Sequence, residues 1–138
     1  MLYRLFTEKP QRYLFGLFIL LSLLSLPLTE KTISFQLHDT YIVMPVWQQV
    51  GVVLLLLALS ASLYWTIRHR PKVNWMTIFH LVVLSLFAIA AIALGYNNMI
   101  PPRSNVLVLG MLLLILLFVI AKLLFIINLI KAWWWYAK

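Results

Sequence analysis

Residues 46–95 decide the fold: Val46–Ile67 reads VWQQVGVVLLLLALSASLYWTI, Arg68–Asn74 reads RHRPKVN, and Trp75–Gly95 reads WMTIFHLVVLSLFAIAAIALG. The two apolar runs contain no Asp, Glu, Lys or Arg. Each is close to the ~20 residues that a helix needs to cross the hydrocarbon core of a bilayer. In lipid we expect such runs to be helical, because a helix satisfies its backbone hydrogen bonds within the segment. The stretch therefore predicts two membrane-spanning helices joined by a short basic turn.

Two further apolar runs flank this pair, at about 13–28 and 106–130. The first has a basic start that a cleaved signal peptide would share, but residues 25–30, SLPLTE, lack a small-x-small cleavage site. We interpret it as an uncleaved span. The fourth run carries Lys122, which we expect to extend towards the headgroups where the helix emerges on the inner side. Residues 1–138 are thus predicted to form one all-α, four-helix membrane domain.

The distribution of charge predicts the orientation. Lys and Arg concentrate before the first run, between the second and third, and after the fourth, so the positive-inside rule places both termini and the 68–74 loop in the cytoplasm. The external loops are then 29–45 and 96–105, and Trp and Tyr mark the interfaces. We expect a multi-pass protein of a bacterial cytoplasmic membrane.

The composition excludes several functions. The chain is 64% hydrophobic and 10% charged, with a mean hydropathy of +1.01, so lipid is its main solvent. Its net charge of +8 is scattered at the ends of apolar runs, which is typical of orientation signals and not of a nucleic-acid surface. There is no cysteine, and Asp and Glu number only three. No hydrolytic or transferase constellation can be assembled, so we do not expect an enzyme.

The first external loop contains the most distinctive motif. Ile33, Phe35 and Leu37 alternate with polar residues, which predicts a short extended stretch. His38-Asp39-Thr40-Tyr41 follows. Asp39 or Thr40 can cap the next helix, whereas His38 and Asp39 together also fit a hard-cation site. Two ligands do not complete such a site, so water, a second copy or another protein would have to supply a third.

The second external loop carries Arg103. An interfacial anchor is one interpretation; pairing with Asp39 or binding of an anionic group is the other. Ser104 or Asn105 can cap the fourth helix.

These two loops carry a resemblance to a known family. Residues 38–43, HDTYIV, and residues 99–104, MIPPRS, resemble two outer motifs of subunit I of the haem-copper oxidases. In that family the first motif precedes the tenth of twelve helices, and a proline-arginine loop lies between the last two. The twelve helices form three arcs of four, so the whole chain resembles the third arc.

The departures from the family matter for function. The family's haem-ligating histidines correspond to Val46 and Gln48, and only Arg103 remains of the arginine pair that holds the haem propionates. The copper ligands come from another arc. The resemblance therefore implies no oxygen reduction and no haem, but it leaves His38 and Asp39 as a divalent-metal site without its acidic partner. Lys122 is similar to a proton-channel lysine of the family, which belongs to a different arc.

The resemblance also predicts an assembly. One arc of four helices leaves one side uncovered, so three copies in a homotrimer could take the places of the three arcs. The expected interface residues are Thr40, Tyr41, Gln48 and Gln49, with Ser60 and Ser62 further along the second span. The expected function is a non-catalytic, self-assembling membrane protein. The alternatives are a haem- or metal-binding redox subunit that uses His38 or His80, and an accessory or assembly subunit of a respiratory oxidase. A transporter is disfavoured, because we expect no ionisable side chain near the midplane of the bilayer.

Overall fold

The structure is a computed structural model that describes residues 9–28, 30–37, 40–69, 72–97 and 105–134. Helix α1 spans Pro10–Ser25 and ends in a 3₁₀ turn, Leu26–Leu28. Strands β1 (Thr32–Leu37) and β2 (Thr40–Pro45) follow, and then helices α2 (Val46–Thr66), α3 (Asn74–Asn97) and α4 (Asn105–Trp134).

The four helices confirm the predicted number of membrane-length elements. Each is long and apolar enough to cross a bilayer, with spans at Pro10–Leu28, Val46–Thr66, Asn74–Leu94 and Leu109–Trp134. Pro10 suits the first position of α1, where the backbone amide has no helical partner. The predicted orientation stays a prediction. We therefore name the two ends of the bundle by their contents: the basic end, near residues 9–12, 68–69, 72 and 131, and the hairpin end, near β1 and β2.

The loop between α1 and α2 is a β-hairpin, which adds a two-stranded sheet to the otherwise helical fold. The extended stretch predicted around Ile33 is confirmed as β1, but β2 pairs antiparallel with it, from Thr32 opposite Pro45 to Leu37 opposite Thr40. The predicted helix cap at Asp39 or Thr40 is wrong, because α2 begins at Val46 after Pro45 in an extended conformation. Strand pairing holds residues 40–45 extended, so the helix cannot start earlier.

The helices bury very different shares of their surfaces. Half of the most apolar stretch of α3 is buried, compared with 11% for α4 and 22% for α1. Helix α1 packs mainly on α2, and α4 mainly on α3, while α3 also contacts α1 and α2. The central helix α3 thus joins two pairs, and most of α4 faces outward.

Hydrogen bonds at both ends of the bundle and in its middle fix the alignment of the helices. At the hairpin end, the Tyr96 hydroxyl near the end of α3 donates a hydrogen bond to the Leu24 carbonyl of α1. In the middle, the hydroxyls of Tyr13 and Ser85 are hydrogen-bonded at 2.8 Å. At the basic end, the start of α3 contacts Asn128 near the end of α4.

Candidate functional site: an intramembrane lysine and a buried polar layer

Lys122 of α4 is turned into the bundle. Its Nζ lies 3.0 Å from the Oγ of Ser60 on α2 and donates a hydrogen bond to it. The same Nζ lies 5.3 Å and 5.8 Å from the ring centroids of Phe118 and Phe125, one turn away on either side. The amine is thus held between two aromatic rings and a buried hydroxyl, and the side chain is half-buried.

The expected extension of Lys122 towards the headgroups is therefore wrong. Side chains on a helix tilt towards its N-terminus, and α4 runs from the hairpin end to the basic end. The Cβ of Lys122 therefore leans away from the basic end, and the amine reaches across the bundle to Ser60. Ser60, buried on the facing helix, then offers the amine an acceptor at that depth.

Lys122 also lies close to the middle of its helix. The midpoint of Asn105–Trp134 falls between residues 119 and 120. Lys122 is therefore only about 4 Å beyond it at 1.5 Å per residue. The middle of this candidate membrane span thus carries an ionisable side chain. An ionisable residue at this depth marks a functional site by default.

The helices that the structure describes contain no carboxylate to neutralise this amine. The three acidic residues of the chain are Glu8, Glu30 and Asp39. Glu30 lies between α1 and β1 at the hairpin end, whereas Glu8 and Asp39 lie outside the described residues. The only hydrogen-bond acceptor shown for Lys122 in the described part of the chain is the neutral Ser60.

A fully buried aromatic and polar group lies beside Lys122, towards the basic end. The Tyr64 hydroxyl is 3.1 Å from Nδ1 of His80, and both side chains have no exposed surface. The His80 ring stacks on Phe125 with a centroid distance of 4.2 Å and an interplanar angle of 6°. Nε2 of His80 is buried and has no hydrogen-bond partner among the described residues. Phe125 thus contacts both the lysine amine and the imidazole.

Asn128 extends this polar group to the end of the bundle. Its Nδ2 donates to Thr77 Oγ1 at 2.9 Å, and its Oδ1 accepts from the backbone amide of Val73 at 2.9 Å. That amide precedes α3, where backbone donors lack helical partners. One side chain of α4 therefore caps α3 and anchors Thr77. Together, Ser60, Tyr64, Thr77, His80, Lys122 and Asn128 form what we call the polar layer.

The outer motif residues are only partly within the described structure. His38, Asp39 and Arg103 lie outside the described residues, as do the side chains of Thr40 and Tyr41, whose backbones belong to β2. Among the described residues, no group of three or more His, Asp or Glu side chains could hold a metal ion. The metal and propionate assignments thus stay predictions.

The predicted interface residues separate into two kinds. Gln48 and Ser62 are exposed and free to meet another molecule. Gln49 instead donates from Nε2 to the Ala91 carbonyl of α3 at 3.3 Å, and Ser60 accepts the bond from Lys122. The latter two side chains are used within the chain.

Sequence reasoning overlooked the polar layer, although a signal was present. Ser60 and Tyr64 are one helical turn apart, and so are Thr77 and His80, so each pair lies on one face of its helix. In α4, Lys122 and Asn128 are six residues apart and therefore lie about 120° apart around the helix, so the sequence pattern is weaker there. The two aligned polar pairs in α2 and α3 were the available signal of a shared interior surface.

No protein-family model, curated protein or solved structure matches this chain significantly. The resemblance to oxidase subunit I accordingly rests on the two outer loop motifs.

Proposed function

We propose that this chain is a non-catalytic accessory protein of a larger membrane complex, and that Lys122 pairs within the bilayer with a carboxylate of another membrane protein. The observation that carries the proposal is the Lys122 amine near the middle of α4, bonded only to a neutral hydroxyl among the described residues. Membrane-embedded charged residues usually pair with one another or with backbone carbonyls.

The energetics favour a partner. A lysine at the centre of a membrane helix costs about 2.5–3.5 kcal/mol on insertion scales. An ammonium group has three donors, and Ser60 accepts one of them. Because the residue Lys122 is only half-buried, a neighbouring helix can contact its side chain from outside the bundle. A carboxylate arriving there would supply both the opposite charge and the missing acceptors.

A second copy of this chain does not offer that carboxylate. All three acidic residues precede α1 or lie between α1 and α2 in the sequence, so none belongs to one of the four helices that the structure describes. The partner is therefore a different protein with an Asp or Glu inside a span. The resemblance of the outer loops makes a respiratory oxidase the first complex to examine.

The test is affinity purification of the full chain from membranes in mild detergent, followed by mass spectrometry. We expect Lys122→Met to lose a partner that the unaltered chain retains, and Lys122→Arg to keep it. The matched control is Lys131→Met, which removes an exposed charge from the same helix. Retention of every partner by Lys122→Met, or equal loss with Lys131→Met, would contradict the proposal.

A homotrimer is the second candidate, favoured by the outward-facing surface of α4. Only 11% of its span is buried, and Gln48 at the hairpin end of α2 is exposed. Three copies would take the places of three oxidase arcs and bring His38, Asp39 and Arg103 together in one outer polar layer, where a divalent metal could bind. Native mass spectrometry distinguishes the candidates: a trimer that survives Lys122→Met supports this second proposal, and a monomer in mild detergent contradicts it.

A further inference from the structure

A groove separates α1 and α2 at the basic end of the bundle. It has a volume of about 290 Å³ and is lined by Gln11, Phe15, Ala61, Ser62, Trp65 and Thr66. Its position follows from the sequence: the small residues Ala61 and Ser62 lie beside the large rings of Phe15 and Trp65, so the facing helices cannot fill the space between the rings. Phe15 and Trp65 are 62% and 57% exposed, so the walls of the groove face the lipid.

A cation lies at the end of this groove. The guanidinium carbon of Arg68 is 4.8 Å from the ring centroid of Trp65, which is a cation–π distance. Nε of Arg68 donates to Nε2 of His69 at 2.8 Å. Guanidinium has five N–H donors in a planar fork that matches phosphate, and this bond uses one of them. The guanidinium is therefore positioned by a residue that itself lines the groove.

The charges around the groove have one sign. Lys9 and Arg12, both exposed, stand close in sequence to Gln11, which lines the groove at the start of α1. At the basic end, the charged residues that the structure describes are all cations: Lys9, Arg12, Arg68, Lys72 and Lys131. An anionic occupant fits this environment, and its apolar part must fit between Phe15 and Trp65.

We propose that the groove binds one anionic phospholipid from the leaflet at the basic end. An acyl chain lies along Phe15 and Ala61, and the phosphate meets Arg68 above the Trp65 ring. The hydroxyls of Ser62 and Thr66 donate to the carbonyls of Ala58 and Leu63, so their oxygens remain available as acceptors for a headgroup hydroxyl. A phospholipid satisfies both halves of the site at once, whereas a soluble anion would leave the apolar walls uncovered. This site is separate from Lys122 and does not depend on the proposed partner.

Native mass spectrometry of the full chain, titrated with phosphatidylglycerol or phosphatidylcholine, tests the proposal. We expect one phosphatidylglycerol molecule to bind more tightly than phosphatidylcholine. Arg68→Gln should weaken that binding about fivefold, the factor that corresponds to about 1 kcal/mol for one basic residue near an anionic surface. Ser62→Phe, at an exposed position, should reduce binding without changing the charge, because the added ring occupies the groove.

The matched control is Lys131→Gln, which removes one exposed charge at the same end but on α4. Equal losses in Arg68→Gln and Lys131→Gln, with no effect of Ser62→Phe, would mean diffuse attraction to the basic end and overturn the proposal. Equal binding of the two lipids, or displacement of the lipid by soluble glycerol phosphate, would overturn it as well. Circular dichroism of each variant verifies that helix content is unchanged, and a variant that fails this check is replaced by Arg68→Met or Ser62→Leu.

Discussion

Helices α3 and α4 form a pair with similar compositions and different roles. Their most apolar stretches have mean hydropathies of 2.5 and 3.0, yet 50% of the first is buried and 11% of the second. Small residues in α3, such as Ala88 and Ala91, allow neighbouring helices to approach closely. Helix α4 instead presents large aliphatic side chains outward and contacts the bundle through a narrow strip that contains Lys122, Phe125 and Asn128. Hydropathy therefore identifies a span but does not show which side of it packs.

The largest effect should come from enlarging a residue in the centre of α3. Ala88 has no exposed surface, so Ala88→Phe forces its neighbours apart and should lower the free energy of unfolding by about 1–3 kcal/mol or more. The control on α4 is Leu112→Phe, at a position 59% exposed, which should change it by less than about 0.5 kcal/mol. Unfolding in mixed detergent and dodecyl sulfate micelles measures both. Equal effects would show that α3 is not more tightly packed than α4.

A smaller effect is expected for Asn128→Leu, which tests the strip through which α4 contacts the bundle. The change removes the bonds to Thr77 and to the Val73 amide. Side-chain hydrogen bonds within membranes average about 0.6 kcal/mol each, so we expect a loss of about 1–2 kcal/mol in the same unfolding assay. The control is the double variant Asn128→Leu with Leu113→Asn, which keeps one asparagine on α4 but places it on the exposed face. This double variant should be no more stable than Asn128→Leu alone. An unchanged unfolding curve for Asn128→Leu would show that the strip does not hold α4 in place.

The smallest change in the free energy of unfolding is expected for two adjacent glutamines on α2, which should differ from each other. Gln49→Leu loses the bond to Ala91 of α3 and should cost about 0.6 kcal/mol, whereas Gln48→Leu, at an exposed position, should cost close to nothing. If the homotrimer forms through Gln48, that variant should instead reduce the assembled fraction in native mass spectra. If both substitutions lowered the free energy of unfolding of the monomer equally, the packing of α2 against α3 would be contradicted.

The two ends of the molecule also differ in how far their residues could be recognised from the sequence. The recognisable motif is contiguous in the sequence, where His38 and Asp39 stand between the segments that form β1 and β2. The polar layer, in contrast, lies towards the basic end and has no short motif, because Ser60, His80 and Lys122 belong to three separate helices. Reading along the chain finds residues that are neighbours in sequence, so it identified the first set and overlooked the second.

The sequence by itself determined the four membrane-length helices, since span length and the absence of charge are local properties set by the thickness of the bilayer. It also determined the extended conformation of β1. The tertiary structure alone decided that residues 40–45 pair with β1 instead of starting α2, because strand pairing is a contact between segments. It also decided where the Lys122 amine lies. Snorkelling towards the headgroups and bonding to Ser60 are both open to that side chain, and only the position of α2 beside α4 selects between them.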